Sequence, residues 1–238
     1  MVPDIFFSHP QVANGQNIPQ ALVDAVALAD RAIYQQMHHE DGGSTLICAA
    51  VHGRTLSVAN LGDARAVLCE GSMAIPMSVD HKPTDHAELQ RVRRCGGIVQ
   101  MGRVGGCLAV SRALGDFEFK MRAPTFVQKE FQVSNVADIR QIPITDVTRF
   151  LILACDGLWD VLSNEEAVTW VSQYLTRNIG GAPQNDAALK QTLNSCAQAL
   201  CEYAVQRGSM DNVSVILLLF HTPSTMTGQP PAGHALGR

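Results

Sequence analysis

The stretch Phe150-Leu151-Ile152-Leu153-Ala154-Cys155-Asp156-Gly157-Leu158-Trp159-Asp160 constrains the fold of this chain more than any other. It begins with an almost continuous apolar run, the pattern of a short strand covered on both faces. The strand ends abruptly at Asp156, and a second carboxylate, Asp160, follows one helical turn later. An aspartate at the mouth of a buried strand must be neutralised, because an unpaired buried carboxylate is very costly. No lysine or arginine lies between Phe150 and Asn164. A divalent cation is then an attractive partner, and oxygen ligands suit Mg2+ or Mn2+. Asp-Gly is also common turn chemistry, so both readings stay open at this point.

The arrangement recurs. Asp211-Asn212 directly precedes the apolar run Val213–Phe220, which reads as a final buried strand. If the two strands lie together, Asp156 and Asp211 can converge on one cation, although Asp211 alone also reads as a helix-to-strand turn residue. Asp63, in Asn60-Leu61-Gly62-Asp63-Ala64-Arg65, reads as a hairpin turn pairing locally with Arg65. Asp80 reads as part of a loop in which Pro83 positions a helix start, and Asp116 as a capping or turn group. The histidines form no HxxxH or HxH pattern, which argues against zinc. There is no GxSxG elbow and no GxxxxGK[ST] loop, so nucleophilic triads and P-loop chemistry lack support.

Around these residues the hydrophobic period alternates between helix and strand. Residues 1–17 read as irregular, and Asn17 then caps a helix carrying Leu22, Val26, Ala29, Ile33 and Met37 on one stripe. Ser44–Val51, Thr55–Leu61 and Ala64–Glu70 read as an antiparallel meander, with Met73–Met77 as a further strand. A helix over Thr84–Cys95 stops at Gly96-Gly97, and Ile98–Val110 reads as a hairpin through Gly102–Gly106. Phe126–Val133 and Arg149–Cys155 are expected strands. Ser163-Asn164-Glu165-Glu166 is a capping box opening a helix to about Leu175. After a linker at Asn178–Asn185, a longer helix runs over Ala187–Arg207 and stops at Gly208. The expected domain is residues 1–221, with 222–238 a disordered tail.

Composition fits one globular core. At 238 residues the chain can bury a sizeable interior, and its net charge of -4 points to neither nucleic acid nor an anionic membrane. Arg91-Val92-Arg93-Arg94, the largest basic cluster, reads as a solvated helix face. The seven cysteines are scattered, and Cys48, Cys69, Cys107 and Cys155 sit in apolar runs, which favours a reducing compartment, cytoplasmic or nuclear. No signal peptide is visible, and no apolar run is long enough to cross a bilayer.

One ordered set of motifs is more specific. It runs Gly43-Ser44-Thr45, Asn60-Leu61-Gly62-Asp63-Ala64-Arg65, Asp80-His81-Lys82-Pro83, Gly96-Gly97, Leu108–Asp116, Leu153–Asp160 and Arg207–Ser214. Together these resemble a metal-dependent (PPM, type 2C) serine/threonine protein phosphatase. The resemblance implies an α+β fold, a β-sandwich of two antiparallel sheets flanked by helices. It implies phosphoserine and phosphothreonine proteins as substrates and two Mn2+ or Mg2+ ions activating a water that attacks phosphorus in line; the oligomeric state is not given by the sequence, a monomer being the expectation. Asp156 and Asp211 match core metal ligands, Asp80 and Asp160 match carboxylates that some members use for a third metal, and Asp63 keeps a structural role. Residues Met73–Asp116 include the family's substrate-selecting flap.

One departure weighs against these matches. The family pattern begins with an Arg-containing strand ending in Glu-Asp, then Asp-Gly-His-Gly-Gly, and neither occurs in these residues. Those motifs supply the phosphate-gripping Arg, a bridging Asp and the His proposed as general acid, so no catalytic residue of that set is intact. His38-His39-Glu40-Asp41-Gly42-Gly43 has the wrong order, which makes Asp41 a turn residue rather than a substitute ligand. The sandwich is therefore expected to be incomplete at its N-terminus, with an exposed sheet edge and little or no turnover. The alternatives are a C-terminal portion of a phosphatase domain, a catalytically inactive pseudophosphatase that binds partners, and a domain holding one metal for stability.

Overall fold

The structure is a computed structural model that describes residues 1–37, 42–120, 131–179 and 185–220. It opens with α1 (Val2–Phe7), α2 (Pro10–Ala13) and the long α3 (Ile18–Met37), with Asn17 Oδ1 accepting the Gln20 amide at 3.3 Å. The expectation of irregular structure before Asn17 is thus corrected. Pro3 and Pro10 stand in first turns, where no helical N–H is needed, and Phe6 is buried with Leu22 and Val26 of α3.

Next come β1 (Gly43–Ser44), β2 (Leu46–His52), β3 (Thr55–Leu61), β4 (Arg65–Glu70) and β5 (Met73–Pro76). The flap segment holds α4 (His86–Arg94), β6 (Val99–Gln100), β7 (Arg103–Val104) and β8 (Leu114–Gly115), with a 3-10 turn at Phe117–Phe119. The chain continues through β9 (Asp138–Pro143), β10 (Thr148–Ala154), α5 (Asp156–Trp159), α6 (Asn164–Ile179), α7 (Asp186–Gln206) and β11 (Val215–Leu219).

Two antiparallel sheets form the centre, one in the order β11-β10-β4-β5 and the other β2-β3-β9. The expected single meander is wrong at one place. β3 and β4 do not pair, because the chain leaves one sheet for the other at Gly62-Asp63. Gly62 adopts φ +103°, and a Cβ there would collide with the Thr45 side chain.

Strand alternation assigns the core residues of the two central sheets to layers. Val67, Cys69, Phe150, Ile152 and Ala154 face Val168, Val171 and Leu175 of α6 and Leu200 of α7. Their neighbours Ala66, Leu68, Leu151 and Leu153 point the other way, against Leu56 and Val58 of β3. Ala59 and Leu61 then face α3. The result is the four-layer α-β-β-α sandwich that the resemblance implied.

Other expectations need adjustment. The flap hairpin is short and turns at Met101-Gly102, with φ of +53° and +76°. Part of the expected strand Phe126–Val133 lies outside the described residues, and 131–133 form no strand. β9 was not anticipated, since Asp-Ile-Arg-Gln-Ile-Pro carries too few apolar residues to read as a strand. Val213–Phe220 is not a buried strand: among the described residues β11 pairs only with β10, none of its residues is fully buried, and Ile216 is 64% exposed. The basic cluster is not wholly solvated either, because Arg91 is buried while Arg93 and Arg94 are exposed. Asp41 and the tail 222–238 lie outside the described residues, as does the middle of the linker.

The capping box is present. Ser163 N–H donates to Glu166 Oε2 at 2.9 Å, and Glu166 N–H donates to Ser163 Oγ at 3.1 Å. Ser163→Ala should therefore cost about 1 kcal/mol, read as a lower urea midpoint at unchanged slope.

Candidate functional site

Strand register brings the acidic residues together. Ala154 at the end of β10 stands opposite Arg65, the first residue of β4, and opposite Val215, the first of β11. The carboxylates just beyond these positions, Asp156, Asp63 and Asp211, therefore gather at one end of one sheet. Asp160 joins them because α5 is a single turn, whose Asp160 N–H donates to the Asp156 carbonyl at 2.8 Å. Trp159 locks that turn by donating Nε1–H to the Ala154 carbonyl at 3.0 Å.

The structure separates these carboxylates by partner. Asp63 does not pair with Arg65. It is 5% exposed and accepts the Lys82 ammonium at 2.5 Å. Arg65 instead grips Asp80 bidentately at 3.0 and 2.8 Å, donates to Asn164 Oδ1 at 3.0 Å and lies 5.3 Å from the Trp159 ring centroid. Asp156, Asp160 and Asp211 form no ion pair among the described residues. Burial raises the Asp156 carboxyl above the ordinary range, and Asp63, Asp160 and Asp211 push it further up against the opposing pull of Lys82. Lys82 in turn resists burial and is held above the usual lysine range by Asp63, Asp80 and Asp156.

Lys82 is the residue that sequence reasoning missed. It supplies, from far along the chain, the positive charge absent between Phe150 and Asn164. Its signal was the motif Asp80-His81-Lys82-Pro83, whose middle histidine staples the site. His81, 3% exposed, accepts the Gly62 N–H at Nδ1 (3.0 Å), and its Nε2 lies 3.1 Å from Asp138 Oδ2. Its carbonyl accepts from Ser111 Oγ at 3.0 Å. The sheet-crossing corner at Gly62, the flap and β9 are thereby fixed to one another.

In charge, Asp156, Asp160 and Asp211 fit a divalent cation, since burial first and then the neighbouring carboxylates, Asp160 and Asp211 among them, hold the Asp156 carboxyl up. In coordination they fall short. Among the described residues no three histidine, cysteine, aspartate or glutamate side chains come close enough to hold a metal ion. Asp80, engaged by Arg65, would have to release that guanidinium to become a ligand. Asp116 stands apart from this group, at a left-handed φ of +48° before the 3-10 turn, and makes no capping bond. Among the described residues no helix is long and apolar enough to cross a membrane.

Comparison with known proteins agrees with this architecture. The family model described as Protein phosphatase 2C matches residues 3–213. Probable protein phosphatase 2C 2 of Oryza sativa subsp. japonica is 37% identical over 210 residues, covering 86% of this chain and 50% of its own length. Probable protein phosphatase 2C 13 of Arabidopsis thaliana is 38% identical over 229 residues, covering 96% and 54%. Human Protein phosphatase 1G is 35% identical over 196 residues, covering 81% and 35%. The chain thus spans about half the length, or less, of these relatives.

Among solved structures, a C. elegans sex determining protein superposes with a TM-score of 0.75 at 26% identity, over 94% of this chain and 52% of that one. Serine-threonine phosphatase 2C from Toxoplasma gondii superposes at 0.69 and 24% identity, over 92% and 78%, a likeness of fold alone. Members of this group are serine/threonine protein phosphatases, hydrolases that generally depend on Mn2+ or Mg2+. By its ordered motifs, its four-layer sandwich and these matches, the chain belongs to the protein phosphatase 2C family.

Proposed function

We propose that this chain contributes to the hydrolysis of phosphoserine and phosphothreonine in proteins, with Asp156 and Asp211 as metal ligands and Asp80 and Asp160 assisting. The observation that carries this reading is that Asp156, Asp160 and Asp211 lie just beyond the adjoining ends of β10 and β11 and form no ion pair among the described residues. When bound, Mn2+ or Mg2+ would supply charge neutralisation and water activation. The chain's own residues hold the acids in place. β10 and α5 orient Asp156 and Asp160, Lys82 donates to Asp63, and Arg65 ties Asp80 to the start of α6.

Turnover by these residues alone is expected to be little or none. None of them takes the place of the phosphate-gripping Arg or the general-acid His. A partner-binding pseudophosphatase is the second reading, favoured by Asp63 and Asp80 being already neutralised by Lys82 and Arg65.

The test is Mn2+ binding by calorimetry and Mn2+-dependent hydrolysis of an aryl phosphate, each compared with Asp156→Asn. The variant should lose more than about tenfold in affinity, beyond the usual loss on removing even a supporting residue, with its circular dichroism unchanged. Full affinity in the variant would refute the ligand assignment. Hydrolysis abolished by Asp156→Asn would show a working site, whereas a folded parent that binds no Mn2+ would support the second reading.

A further inference from the structure

The helical layer carries a feature that the acidic site does not use. Trp170 of α6 stacks on Tyr174 at 5.5 Å between ring centroids, with an interplanar angle of 21°. It also stacks on Tyr203 of α7, at 5.7 Å and 20°. Beside these rings lies a pocket of about 360 Å³ lined by Glu165, Glu166, Thr169, Trp170, Gln173 and Tyr203.

One guanidinium already uses this frame. Arg207 lies 5.9 Å from the Tyr203 ring centroid, donates to the Tyr203 hydroxyl at 3.3 Å and donates to Glu166 Oε1 at 3.1 Å. Glu166 is thereby occupied twice, since its other carboxylate oxygen accepts the Ser163 N–H. Glu165, exposed on the same first turn, forms no ion pair among the described residues. The pocket is thus lined by two carboxylates and two aromatic rings and by no cation, while Arg207 reaches Glu166 and Tyr203 from beside it.

We propose that this pocket docks an arginine side chain presented by an exposed segment of a protein partner. Charge decides the sign of the occupant, because an anion would meet Glu165 and Glu166, and an apolar group would leave Glu165 without a partner. The rings decide its shape. A planar, weakly hydrated guanidinium lies on aromatic surface while its donors reach a carboxylate, whereas a lysine ammonium is compact and strongly hydrated. Arg207 displays that same pairing of ring and carboxylate within the chain. The proposal is independent of whether the acidic site turns over.

The probe is a short acetylated peptide with one arginine in an alanine-serine frame, titrated while the Trp170 indole N–H resonance is followed. That resonance should shift and saturate, the one from buried Trp159 should stay, and a glutamine peptide should do nothing. Glu165→Gln, at an exposed position that spares the fold, should weaken binding by about threefold to tenfold, the scale of one partly exposed charge contact. Arg207→Ala should tighten it, by freeing Glu166 and Tyr203. Unchanged affinity in Glu165→Gln, an equal response to the glutamine peptide, or movement of Trp159 alone would overturn the docking site. An equal response to a lysine peptide would overturn its selectivity for arginine.

Discussion

Glu88→Ala should destabilise the protein by about 3–5 kcal/mol, the usual cost of leaving a buried charge without its partner. Glu88 is 5% exposed and accepts from Arg91 Nη2 at 2.7 Å, Ser111 Oγ at 2.6 Å and Arg112 Nη2 at 2.9 Å. Without it, the Arg91 guanidinium would lose its carboxylate and Arg112, in the loop before β8, would keep only Asp138 and the Val136 carbonyl. Arg91 would keep only carbonyl acceptors, those of Ser111, Phe131 and Gln132. A domain holds about 5–15 kcal/mol in total, so the variant would lose much of its margin.

Acid titrates the same interaction. Burial alone would push the Glu88 carboxyl up, but hydrogen bonds from Arg112, Arg91 and Ser111 bring it down from 4.5 to about 2. A lowered folded value means stabilisation that is present above about 4.5 and lost as the pH falls toward about 2. The drop corresponds to about 3 kcal/mol, at about 1.4 kcal/mol per pH unit. Asp138, brought down from 3.8 to about 2 by hydrogen bonds from His81 and Arg112, titrates within that window. Urea midpoints measured across that window should therefore fall steeply in the parent and more gently in Glu88→Gln. Parallel curves would sink this account.

The second large effect is expected at Gly157. This buried glycine follows Asp156, and a Cβ there would run into the carbonyl oxygen of Asn212, which follows Asp211. The two loops are already stitched together. Ser209 Oγ donates to the Gly157 carbonyl at 2.6 Å, Cys155 Sγ donates to the Asn212 carbonyl at 3.2 Å and accepts the Ser214 N–H at 3.2 Å. Gly157→Ala must push them apart, because backbone cannot rotate away as a flexible side chain can. A cost of about 1–3 kcal/mol is expected from the overpacking. Calorimetry should also show Mn2+ affinity falling by more than about tenfold, as for a disturbed supporting residue. Parent-like Mn2+ binding in a folded Gly157→Ala protein would show that the two aspartates are not geometrically coupled.

The strands and helices that bury a stripe or a face were legible from sequence, because period is a local property. β3 was read as Thr55–Leu61, the start of α3 by its Asn17 cap, and the box at Ser163 and Glu166 by its spacing. The errors arose where the answer depends on what lies across space. Gly62-Asp63 looks like a hairpin turn, and only Thr45 pressed against Gly62 shows that the chain is changing sheets. Val213–Phe220 looks doubly covered because apolar composition cannot tell a central strand from an edge. Within the site, Asp156 and Asp211 could be paired from their places at strand mouths. The partners of Asp63 and Asp80 could not, since Lys82 and Arg65 reach them across the fold and each local pairing seemed nearer.

The two strands that carry the acidic pair differ in how they can fluctuate. β10 is hydrogen-bonded on both sides, by β4 and β11, whereas among the described residues β11 is bonded on one. Amide hydrogens of Leu151 and Ile152 should therefore exchange with solvent only on global unfolding, and those of β11 through cheaper local opening. Asp156 rides on the slow-exchanging strand and Asp211 on the one that frays. Anything that bridges the two carboxylates would slow exchange in β11 first, so deuterium uptake at Ile216 and Leu217 reports occupancy of the site without any turnover.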